Sequence, residues 1–179
     1  MTETELLERY ENGERDFAEV SLHSANLQNA DLGGADFKGA DLRGSNLHGA
    51  NLQRVNLREA RLNEAEMAGC DLTEADLFMA RMANVDLEEA TLVKANLGRA
   101  NLANAKLRGA NLRDAKMSSV ELTFADLNDA DLRGADLHAA NLMGAEMLGA
   151  KVHGAKLSNV ILPDGRKKGL FRSLDRFTE

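Results

Sequence analysis

The chain has 179 residues, 44% of them hydrophobic but only 4% aromatic, with a single proline and a single cysteine. That length suits one domain, yet a globular core of this size normally uses more large rings. The formal net charge of −7 disfavours nucleic acid as a partner, because phosphates call for clustered Lys and Arg, and Cys70 alone cannot make an internal disulfide.

The first fourteen residues predict a short helix over 2–12. Thr2 and Glu5 have the spacing of a capping box, Leu6, Leu7 and Tyr10 form one stripe, and Gly13 is placed to stop the helix. This acidic start has no apolar signal-peptide region. No apolar run nears the roughly 18 residues of a membrane span. With a lone cysteine suited to a reducing compartment, these features predict a soluble, cytoplasmic protein with no membrane contact.

From Phe17 to Leu162 every fifth residue is large and apolar, thirty in all. The residue two before each centre is small except at Arg15, and it is Ala in twenty-two pentads. Asp or Asn most often sits between them, as in Ala30-Asp31-Leu32. A period of five fits neither a 3.6-residue helix nor a 2-residue strand, so the chain must bend once per pentad. Small and large residues two apart point to the same side, which is inward. Asp and Asn suit bends because their side chains bond nearby backbone groups. Pro163-Asp164-Gly165 ends the repeat. After Arg166-Lys167-Lys168, the residues Leu170, Phe171, Leu174 and Phe177 follow an amphipathic helical pattern.

This A-(D/N)-L-x-x pattern over residues 15–164 resembles the pentapeptide-repeat family and is similar to cyanobacterial and other bacterial members. The resemblance implies an all-β solenoid, a right-handed quadrilateral β-helix with four pentads per coil. Applied here it gives about seven and a half coils and a rod of ~35 Å at the usual strand spacing. A solenoid needs capped ends, so residues 1–14 are expected to be an N-terminal helical cap and residues 165–179 a C-terminal helical cap or tail. A sharper reading of Leu170, Phe171, Leu174 and Phe177 is a homodimer contact, because some family members dimerise through this end.

Four sides assign each residue to a face by its position modulo twenty. His23, His48, His138 and His153 then fall on four different faces, so no pair can share a metal or relay a proton. Cys70 takes a small inward position, where burial makes it a poor nucleophile. No phosphate loop or base-stacking aromatics are present. We therefore expect no catalytic site, cofactor or metal, and function must lie in the surface.

Three faces are close to neutral. The fourth, centred on Leu27, Leu47, Met67, Leu87, Leu107, Leu127 and Met147, sums to −5, with Glu66, Asp86, Glu88, Glu89, Asp126, Asp129 and Glu146 against Lys106 and Arg108. Apolar residues also occupy outward positions: Phe78, Met79, Phe124, Met143 and Leu148. Together these predict a protein-interaction rod that binds a protein partner through its faces. The resemblance supplies a second expectation, since some members mimic duplex DNA and bind DNA gyrase, protecting it from quinolones or toxins. A passive spacer is the third.

Overall fold

From Phe17 to Ala155 each pentad closes on itself through one hydrogen bond. The amide of the small residue donates to the carbonyl of the preceding centre, as from Ala25 to Leu22 at 3.1 Å and from Ala100 to Leu97 at 3.0 Å. The residue just before the small one has φ between +55° and +76° in every pentad from Glu19 to Asn159. This is the third residue of a type II turn, which needs a left-handed backbone. Glycine fills only ten of those twenty-nine positions. A non-glycine residue there costs on the order of 1 kcal/mol, so the turn is imposed by stacking of the coils rather than by local preference.

The Asp or Asn before each centre completes the bend. Its side-chain oxygen accepts from the amide two residues on: Asp36 from Lys38 at 2.8 Å, Asp71 from Thr73 at 2.9 Å, Asn101 from Ala103 at 3.0 Å. This Asx turn explains why the motif favours these two residue types.

Four such bends make one coil. In the computed structural model, which describes residues 1–167 and Thr178, parallel bridges join each Asp/Asn position to the one twenty residues on, from Asp16–Asp36 to Asn141–Ile161. Each bridge has two bonds, as where Leu22 N donates to Asp41 O at 2.8 Å and Asp41 N donates to Val20 O at 2.9 Å. The parallel ladder among the described residues consists of isolated one-residue bridges. The pentad gives two of its residues to the turn, which leaves no room for a longer strand.

Inside, every centre from Phe17 to Met147 is at most 2% exposed. Phe17 and Phe37 stack with centroids 5.5 Å apart. Ser45 replaces Ala at an inward position, and its hydroxyl donates to Leu42 O at 2.7 Å, so no polar group is orphaned there. Burial is less complete in the last coil, where Val152 and Leu157 are half-buried. Cys70 is buried, and desolvation, helped by the charge of Asp71, pushes its thiol up to about 12. Native protein at about pH 8 should therefore resist a thiol reagent that labels the denatured chain at once. Rapid labelling of the folded protein would contradict this burial.

At the N-terminal end, α1 (Glu3–Glu11) is capped by Thr2, whose Oγ1 accepts from Glu5 N at 3.2 Å. The Glu5 carboxylate lies 3.6 Å from Arg9. Leu6 is fully buried in the solenoid core. Asn26 has no coil before it, and its amide donates to the Glu3 carboxylate at 2.8 Å. Tyr10 donates its hydroxyl to Gly33 O at 2.8 Å beneath the Arg15 guanidinium, 3.7 Å from the ring centroid. Gly13, at φ +91°, ends the segment. At the other end Ile161 bridges Lys167 in antiparallel fashion, and Gly149 N donates to Thr178 O at 2.8 Å. Leu170, Phe171, Leu174 and Phe177 lie outside the described residues.

One carboxylate ties the coils to pH. Arg43 donates from Nε to Asp41 Oδ1 at 2.8 Å and from Nη2 to Oδ2 at 2.7 Å, with Arg61 at 3.6 Å. The hydrogen bonds from Arg43 hold Asp41 down at about 2. Since the unfolded value is ~3.9, this contribution is complete above that pH and is lost as pH falls through the folded value. Asp41→Asn should therefore destabilise the protein at about pH 6 and much less at about pH 2.5, read by urea unfolding. An equal effect at both would contradict the assignment.

Candidate functional site

The register builds the acidic face directly. Bridges run Asn46–Glu66, Glu66–Asp86, Asp86–Lys106, Lys106–Asp126 and Asp126–Glu146, so these side chains form one column at coil spacing, ~4.8 Å. The two cations are engaged within the face. Lys106 Nζ lies 3.2 Å from Asp86 Oδ2, and Arg108 lies 3.5 Å from Asp129. Its hydrogen bond to Asp86, with the charges of Asp86, Glu88 and Glu66, raises the Lys106 ammonium above its usual range. Among the described residues, Glu66, Glu88, Glu89, Asp126 and Glu146 make no ion pair. Asp126 and Glu146 are held by Asn128, through its amide at 2.9 Å and its Nδ2 at 3.1 Å. Glu66, Glu88 and Glu89 are exposed and present free charge. Beside them Gln28, Asn46, His48, Glu64, Asn84 and Asp86 line a shallow groove of about 530 Å³. Position modulo twenty could have flagged Gln28, Asn46 and His48, which share this face.

The outward apolar residues separate into different environments. Phe78 is half-buried rather than a free contact. Arg58 lies 4.7 Å above its ring centroid, and the ring rests against Gly98 in the next coil. Arg58, Phe78 and Gly98 share one column, so their packing stays within the rod. Met79, Phe124, Met143 and Leu148 are 46%, 62%, 43% and 62% exposed. Phe124 and Met143 adjoin, with Phe124 N donating to Met143 O at 3.0 Å, and a Cβ on Gly144 would overlap the Phe124 ring. Leu148 belongs to the acidic face, where its amide donates to Asn128 Oδ1 at 2.7 Å. Among the described residues no group of His, Cys, Asp and Glu is arranged to hold a metal ion, and no helix is long and apolar enough to cross a membrane.

This geometry coincides with a known repeat. The model for pentapeptide repeats matches eight copies, over residues 16–54, 50–77, 80–118 and 121–159. The chain belongs to the pentapeptide-repeat family. No curated protein is significantly similar to it in sequence. Among solved structures it is similar to HetL from the cyanobacterium Nostoc sp. strain PCC 7120, a pentapeptide-repeat protein involved in heterocyst differentiation regulation, at 32% identity and TM-score 0.66 over 94% of this chain and 100% of HetL. It is also similar to QnrB1, a plasmid-mediated fluoroquinolone resistance protein, at 22% identity and TM-score 0.62 over 80% of each chain. The second likeness is one of fold alone.

Proposed function

We propose that this pentapeptide-repeat protein is a non-enzymatic interaction rod that binds a protein partner through its acidic face, with residues 1–14 capping one end of the 15–164 solenoid and 165–179 the other. The observation that carries this reading is the asymmetry of charge. Cations on the face are consumed by Asp86 and Asp129, which leaves Glu66, Glu88 and Glu89 exposed at mid-rod. A free like-charge cluster of this kind steers a basic partner and sets its register. HetL, alike over its full length and involved in regulating differentiation, is consistent with a rod that acts by contact.

Charge density decides against the DNA-mimic reading as the first choice. Duplex DNA carries one charge per ~1.7 Å of axis, hence roughly 20 phosphates over a rod of ~35 Å. This chain has a net charge of −7 in total. A gyrase supercoiling assay separates the readings. We expect no inhibition and no drug protection by the wild type. Inhibition that fades with salt and in a Glu66→Lys/Glu88→Lys/Glu89→Lys variant would replace the interaction rod by mimicry, and a rod that captures no partner at all would be a spacer.

A further inference from the structure

A neighbouring face carries a different signal. It is centred on Leu22, Leu42 and the residues in register with them, and in its second half, over the four coils from Arg81 to Gly144, it presents twelve residues outward, three to a coil. Only two of these twelve residues are charged, against eight of twelve on the acidic face over the same coils. Two of the four exposed large hydrophobics among the described residues, Phe124 and Met143, lie here. Down the middle run Ala83, Ala103 and Thr123, all half-buried and short, so the surface is low there, and Phe124 and Met143 stand out beyond it. Arg81 is exposed and makes no ion pair among the described residues.

We propose that this face is where a second copy of the chain docks, antiparallel, about a two-fold axis passing at Ala103. The charges choose this occupant and register. Bridges Arg81–Asn101 and Asn101–Glu121 put Arg81 one coil before the Asn101 position and Glu121 one coil after it. A two-fold axis across the rod at that coil therefore sets Arg81 of each copy opposite Glu121 of the other, giving two opposite-charge pairs. Moving the axis one coil either way sets Arg81 or Glu121 against itself. A register that pairs Arg61 with Glu121 uses an arginine already beside Asp41 at 3.6 Å and leaves Arg81 alone. Between the pairs, Ala83 faces Thr123 and Ala103 faces itself, and Phe124 lies over Asn84 of the second copy. An interface of this kind is isologous and closes at two copies.

Its size sets its strength. Centred on Ala103, the contact runs from the Arg61 coil, which faces the Asn141 coil of the other copy, and its five coils span about 24 Å at ~4.8 Å each, with a side of about four residues ~13 Å wide. The contact then buries on the order of 600 Å² in total, below the ~1,200 Å² of stable complexes. The dimer should be weak, dissociating in the micromolar to millimolar range, and a covalent trap is the suitable probe. Ala103→Cys is expected to form a disulfide-linked dimer under mild oxidation, because the axis brings this position to its own copy. Arg113→Cys, on the opposite side of the rod, should not, and buried Cys70 supplies no competing thiol. Arg81→Glu introduced with Ala103→Cys should slow trapping at least severalfold, and adding Glu121→Arg should restore it. Trapping at Ala103→Cys no faster than at Arg113→Cys would overturn the proposal. Failure of the doubly reversed variant to recover, with its thermal melt intact, would overturn the antiparallel register.

Discussion

Leu97→Asp should abolish cooperative folding. Leu97 is fully buried, and its amide donates to Lys116 O in the next coil at 2.7 Å. It sits between Leu77 and Met117, both fully buried in register with it. The substitution removes ~1.5–3 kcal/mol of apolar burial and places a carboxylate where nothing can pair with it. The sum exceeds the ~4–5 kcal/mol that marks an exceptional mutation, against a total stability of ~5–15 kcal/mol for ordinary domains. In a solenoid each coil is held by its neighbours, so the damage at mid-rod severs the stack. Thermal melting by circular dichroism is expected to show no cooperative transition for Leu97→Asp. The volume-conserving Leu97→Met should lose less than ~1.5 kcal/mol. A near-native melt for Leu97→Asp would mean that the centre of the pentad does not face the core.

The inward ladder was legible because its period is unbroken. Leu, Ala and Asp/Asn each have one job in the pentad, and the structure assigns them to centre, small position and Asx turn. The first helix was legible in its Thr2 cap and its stripe, although Glu3 rather than Glu5 makes the decisive long-range bond, to Asn26 N. The turn type was not legible, because glycine occupies only a third of the left-handed positions and residues as different as Lys94 and Phe124 fill others. Their conformation comes from stacking, which local propensity does not contain. For the surface, position modulo twenty gives the columns but not which way a long side chain leans. It placed Lys106 among the acids without revealing its bond to Asp86, and it marked Phe78 as outward without showing the cover of Arg58. The glycine beneath that ring, Gly98 in the same column, was the available clue.

The second large effect is on binding. Glu66→Lys/Glu88→Lys/Glu89→Lys shifts the local charge by six units at mid-rod. Asp86 is left untouched because its carboxylate holds Lys106 and accepts from Glu88 N at 3.1 Å. The three altered side chains are exposed, so stability should move by no more than ~0.5 kcal/mol per site. Association with a basic partner should slow by one to two orders of magnitude, and the wild-type rate should fall steeply with salt while the variant's does not.

Affinity capture from the native cell, with three baits compared by mass spectrometry, tests the role of this face most directly. The baits are the wild type, the triple variant, and Lys38→Glu/Lys116→Glu, which alters exposed charges on the opposite side of the rod. The account predicts a protein held by the wild type and by the Lys38→Glu/Lys116→Glu bait, released by moderate salt, and missing from the triple variant. Retention of the same proteins by all three baits would show that the acidic face is not where this rod makes its contact.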